Sequence, residues 1–110
     1  MRHLEGEQVL MRVFVGESDR WEKQPLYKAL LELFRLEGLA GATVLRGVAG
    51  FGATSVLHTD RLLSLSQDLP LVIEVVDTEE KVNEILPRLD EMLQGGIVTL
   101  EKARVIRYSK

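Results

Sequence analysis

The stretch Leu69 to Val76, LPLVIEVV, constrains the fold more than any other segment of the chain. It is too short and too rich in β-branched residues for a helix, so it reads as a strand. Leu71, Val72, Ile73, Val75 and Val76 place apolar groups on both of its faces, with Glu74 the lone polar interruption. Such a strand needs cover on two sides. Only two amphipathic helices are available, one on each side of it in sequence.

The remaining elements fall around this strand. Gln8 to Val15, QVLMRVFV, is a partly alternating run of β-formers, and GESDRWEKQ (Gly16 to Gln24) reads as a loop. Pro25 suits a helix first turn, and Leu26, Leu30, Leu33, Phe34 and Glu37 follow at helical spacing until Gly38 stops the helix. A second short strand covers Ala42 to Val48. After the central strand, Asp77 is expected to cap a second helix, with Glu80 completing a capping box. Val82, Ile85, Leu86, Leu89, Met92 and Leu93 form that helix's apolar stripe, and Gly95-Gly96 end it. Pro87 inside the stripe removes one helix hydrogen bond and predicts a kink. A last strand is expected from about Ile97 to Tyr108.

The order β-α-β-β-α-β predicts an α+β ferredoxin-like sandwich: a four-stranded antiparallel sheet with both helices on one face, occupying residues 1–110 as one domain. At 110 residues a single domain buries roughly two-thirds of its unfolded surface. The helices cover one face, and the other should be polar in a monomer. It is apolar instead, since the central strand carries apolar groups on both faces and the first strand offers Val9, Met11, Val13 and Val15 on one side and Leu10 and Phe14 on the other. This predicts an oligomer, because both tails are too short to fold over the sheet.

Charge and composition exclude several functions. A net charge of −3 offers no basic footprint for nucleic acid. The chain has no cysteine, hence no disulfide or thiolate metal site. No run reaches the roughly 18 apolar residues of a membrane span, and MRHLEGEQ lacks the apolar core of a signal peptide, so a cytoplasmic protein is expected. His3 and His58, with no third ligand at metal spacing, make a poor zinc site. Ser64, Ser66 and Asp68 resemble a nucleophile set without a base.

RGVAGFGATS (Arg46 to Ser55) puts three glycines into six positions. The dinucleotide fingerprint is not met, since the order is reversed to G-x-x-G-x-G and no helix-forming run follows. Gly47 and Gly52 have P-loop spacing, but Ala53-Thr54 replaces the required Lys-Ser/Thr. Two readings stay open: a backbone nest for an anion, or a bulge followed by a loop. Arg46 beside it either anchors a phosphate or forms an ion pair. Trp21 covers either a base, a subunit seam or the core.

RGVAGFGATSVLHTD (Arg46 to Asp60), LSQDLPLVIEVVD (Leu65 to Asp77), GLAGATVLRG (Gly38 to Gly47) and GESDRW together resemble the PII-like domain-of-unknown-function family 190 (DUF190). More distantly, Gly50-Phe51-Gly52 and Arg104-Val105-Ile106-Arg107 are similar to segments of PII nitrogen-regulatory signalling proteins. The resemblance implies a non-enzymatic homotrimer that requires no cofactor and binds an adenine nucleotide in clefts between subunits. It implies Thr43, Gly50, Phe51 and Gly52 on the adenine side, and Gly95, Gly96 and the arginines Arg104 and Arg107, Arg107 foremost, near the phosphates. Arg104, three residues from Arg107, would point to the opposite sheet face.

Two departures limit what transfers. The connector Ala53 to Gln67 is short and has no tyrosine, so the modification chemistry of PII loops is not implied. Gly95-Gly96 runs into apolar Ile97-Val98 instead of a basic loop, which favours AMP or ADP over ATP with magnesium. The 53–67 segment is then the expected reporter to a regulated membrane or enzyme partner. The competing expectations are a structural or interaction trimer with a vestigial cleft, similar to divalent-cation-tolerance proteins in architecture only, and a small enzyme such as an acylphosphatase. The latter needs an arginine-bearing phosphate loop where VGESDRW places Glu17 and Asp19.

Overall fold

The computed structural model describes residues 4–51 and 68–109. Four long strands form one sheet: β1 (Gly6–Gly16), β2 (Ala42–Arg46), β3 (Pro70–Asp77) and β4 (Ile97–Val105), ordered β2-β3-β1-β4 with every neighbouring pair antiparallel. Helices α1 (Leu26–Leu36) and α2 (Glu79–Met92) complete the expected ferredoxin-like α+β fold.

Register sorts the side chains into two faces. Met11, Val13 and Val15 of β1 and Leu71, Ile73 and Val75 of β3 are buried, and they share one core with Leu30 and Phe34 of α1 and Val82, Ile85 and Leu89 of α2. Burial of each such side chain stabilises the fold by roughly 1.5–3 kcal/mol. Alternate residues face the other way. There Leu45, Val72, Phe14 and Ile97 align as an apolar row across all four strands, with Leu45 and Ile97 exposed by 49% and 60%. The next row is Thr43, Glu74, Arg12 and Thr99. Arg12 bonds Glu74 at 2.9 Å and Glu101 at 2.5 Å, and these hydrogen bonds, Glu74's foremost, hold the guanidinium more firmly charged. Among the described residues no helix lies on this face, and its apolar rows match the expectation from the central strand.

Several boundaries differ from the sequence reading, each for a physical reason. Within the supposed loop, Arg20–Trp21 and Gln24–Pro25 form a two-residue-long hairpin, and Trp21 packs on the core. β2 stops at Arg46, short of Val48, because Pro70 opposite has no amide to extend the ladder. β4 ends at Val105, opposite Gly6 where β1 begins, so Arg107 lies beyond the strand.

Asp77 is not the cap of α2. It is the last inward-facing residue of β3, fully buried, and its carboxylate accepts the amides of Ala40 at 2.8 Å and Thr78 at 2.7 Å. Thr78 is the cap, accepting the Lys81 amide at 3.1 Å, so Glu80 completes no box. The helix runs unbroken through Pro87 and ends at Met92, before Gly95-Gly96.

Candidate functional site

The glycine stretch first has an internal explanation. Where β2 ends, the Gly47 amide donates to the Pro70 carbonyl at 2.7 Å. A Cβ on Gly47 would lie 2.9 Å from the Pro70 ring, and one on Gly50 would lie 3.1 Å from it. Bare backbone is needed here because the chain folds down onto the first residue of β3. Val48 and Phe51, by contrast, project outward, with Phe51 75% exposed.

Arg46 stands at the same sheet end and is already engaged. Its Nε and terminal nitrogen both donate to Glu17 Oε1, at 3.2 and 3.1 Å. Glu17 is set by the turn that leaves β1: its amide donates to Leu69 O at 2.8 Å, the Ser18 amide to Asp68 Oδ1 at 3.2 Å, and the Gly16 amide to Asp19 Oδ2 at 2.9 Å. Residues 46–51, 68–70 and 16–19 thus form one stitched cluster. Asp68 serves the turn, while Ser64 and Ser66 lie outside the described residues.

Gly95 and Gly96 lie at this end of the sheet too, but at the opposite edge, since Ile97 pairs with Phe14 while Leu45 pairs with Val72. Three strand spacings put the two edges about 14 Å apart. Gly96 adopts φ +81°, and a Cβ there would overlap the carbonyl oxygen of Phe14. Gly95 borders two shallow cavities of about 240 and 280 Å³, the first with Asp19, Arg20 and Met92, the second with Leu89, Leu93 and Val98. Both are below the roughly 300–1,000 Å³ of ligand pockets.

Thr43 sits midway along β2 on the face opposite the helices, in the row of Glu74 and Arg12. Arg107, exposed past β4, belongs to the other end of the sheet: the nine residues of β4 separate it from Gly96 by roughly 30 Å. Gly52, His58, Ser64, Ser66 and the 53–67 segment lie outside the described residues, as does His3. One chain therefore gathers Arg46, Gly47, Gly50 and Phe51, and sets Thr43, Gly95-Gly96 and Arg107 apart. The partnership of Arg46 with Glu17, 29 residues apart in sequence, carried no local signal.

Solved structures share this frame of a four-stranded antiparallel sheet with two helices. A protein from Thermus thermophilus described as PII-like superposes with a TM-score of 0.68 over 94% of both chains at 20% identity. CPII from Thiomonas intermedia K12, a nitrogen regulatory PII-like protein bound to ADP, AMP and bicarbonate, superposes at 0.64 over 92% of this chain and 90% of its own, at 18% identity. In sequence, the chain is 40% identical over 97 residues to a UPF0166 protein of Aquifex aeolicus, covering 88% of this chain and 91% of that one. It is 33% identical over 99 residues to UPF0166 protein MJ1524 of Methanocaldococcus jannaschii, covering 89% and 91%. The model of the DUF190 family, described as "Uncharacterized ACR, COG1993", matches residues 8–105, and the chain belongs to that family. Among the described residues no helix is long and apolar enough to cross a membrane.

Proposed function

We propose that the chain is a non-enzymatic, cytoplasmic regulatory protein that binds an adenine nucleotide, AMP or ADP, in clefts between the copies of a homotrimer. The observation that carries this reading is the separation just described. Arg46, Gly50 and Phe51 lie at one edge and end of the sheet, and Arg107 lies at the other edge and the other end. No nucleotide bridges both on one chain, so a site using them forms between copies. The apolar row Leu45, Val72, Phe14 and Ile97 supplies the surface that brings copies together. The nucleotide class follows the fold neighbour CPII, bound to ADP and AMP. An exposed aromatic, Phe51, and arginine forks suit a base and a phosphate. Chain leaving at Phe51 and returning at Asp68 emerges from this cluster, which makes the 53–67 segment the expected readout to a partner.

The test joins mass in solution to ADP titration. The wild type is expected as a trimer taking about one ADP per subunit. Phe14→Asp puts a charge at the centre of the apolar row, and should yield folded monomers that no longer bind ADP. A wild-type monomer, or a Phe14→Asp monomer that binds ADP normally, would refute the inter-subunit site. A trimer indifferent to adenine nucleotides would select the structural reading, which the packing of Gly47 and Gly50 on Pro70 favours.

A further inference from the structure

We infer that Glu17 is a specificity-determining residue of the nucleotide site, an internal carboxylate that occupies Arg46 until a phosphate displaces it. The inference rests on the nucleotide reading above and concerns which anions that site accepts. Arg46 presents the Nε edge of its guanidinium, an edge that grips two oxygens of a carboxylate or a phosphate through two parallel bonds. In this chain both N–H groups of that edge converge on a single oxygen, Glu17 Oε1, at 3.2 and 3.1 Å. One oxygen cannot align with two N–H groups at once, so the pair is an incomplete match for the fork.

Phosphate oxygens complete that match. A terminal phosphate offers two oxygens to the two N–H groups, and as a dianion it outweighs the single charge of Glu17. An anion that is weakly charged or presents a single oxygen gains nothing over the carboxylate already in place. Glu17 thereby discriminates by charge: dianionic phosphate monoesters and diphosphates are admitted, and monoanionic carboxylates, no more charged than the carboxylate they would displace, are refused.

Position makes this competition unavoidable. The Glu17 backbone is pinned by its amide bond to Leu69 O, and Arg46 is pinned by the adjacent Gly47 bond to Pro70 O, so the two side chains start from fixed stems. The carboxylate is the more enclosed partner, 28% exposed against 54% for the guanidinium. Arg46 is therefore the group left open to an incoming ligand. Partly exposed ion pairs are weak, which sets the size of the effect: Glu17→Gln should tighten ADP binding about two- to fivefold.

The experiment is a double-mutant cycle in ADP affinity over wild type, Glu17→Gln, Arg46→Ala and the double variant. Circular dichroism confirms that each folds. Glu17→Gln is expected to tighten binding in the wild-type background and to have little effect once Arg46 is alanine. Equal tightening in both backgrounds would show bulk charge repulsion and overturn the inference. So would an unchanged affinity in Glu17→Gln while wild type and Arg46→Ala still differ, and that outcome would leave the nucleotide reading standing. Absence of ADP binding in all four proteins would instead remove the nucleotide reading, and the role of Glu17 with it.

Discussion

Replacing Gly96 with alanine is expected to lower the stability of the chain by about 3–5 kcal/mol, through strain rather than lost contacts. Two costs combine. Gly96 sits at φ +81°, where an L side chain clashes with its own backbone. Its Cβ would also overlap the carbonyl oxygen of Phe14, a backbone atom of the central strand that cannot swing aside. The melting temperature should fall by roughly 15 °C or more in a chain of this size. Gly41→Ala is the matched control: no atom lies within 4 Å of the added methyl and its φ carries no strain, so its effect should stay within about 0.5 kcal/mol. A Gly96→Ala protein melting beside the wild type would contradict the geometry. The functional corollary is practical. Loss of nucleotide binding in a Gly96 variant would report unfolding at the β1–β4 edge, and the arginines are the residues with which to interrogate the site.

Asp77→Ala is expected to cost about 2–4 kcal/mol. The carboxylate is fully buried and accepts two amides from different elements, Ala40 before β2 and Thr78 at the start of α2. Truncation leaves both donors without that acceptor and opens space at the end of the core. Asp77→Asn keeps one oxygen and should cost roughly half as much. Urea unfolding measures both, and amide exchange at Ala40 localises the effect: protection there should drop before that of the core strands. Full retention of stability in Asp77→Ala would mean that this junction does not hold β2 against β3. That would matter for function, since β2 carries Arg46 to its partner.

These two residues also mark where sequence reading succeeds and where it stops. The alternation of Met11, Val13 and Val15 and the helical spacing of Leu26, Leu30, Leu33 and Phe34 are local signals, and they gave the order and type of every major element. The both-sided apolar character of Val72 to Val76 pointed to a face in need of a partner. Asp77 reads as the cap from its type and place, and only the register, which turns it inward with Val75 and Ile73, passes that role to Thr78. The glycines of RGVAGFG posed the same difficulty at longer range. Their demand for space comes from Pro70, about 20 positions on, through a contact that no local pattern encodes. Arg46 was legible as a candidate phosphate anchor; Glu17, the carboxylate that holds it, was legible only as an acidic residue in a turn. The sequence pattern places Arg104 and Arg107 on one strand, but the ladder ends with Val105 where β1 begins.

A nucleotide site assembled from two copies can be rebuilt by mixing subunits. Arg46→Ala and Arg107→Ala remove arginines from opposite edges and ends of the sheet, so each homotrimer should bind ADP weakly in isothermal titration. Unfolded together and refolded as mixed trimers, they should regain wild-type affinity in about a quarter of the clefts, those that receive an intact Arg46 from one copy and an intact Arg107 from its neighbour. A mixture that binds ADP no better than its two parents would contradict the account.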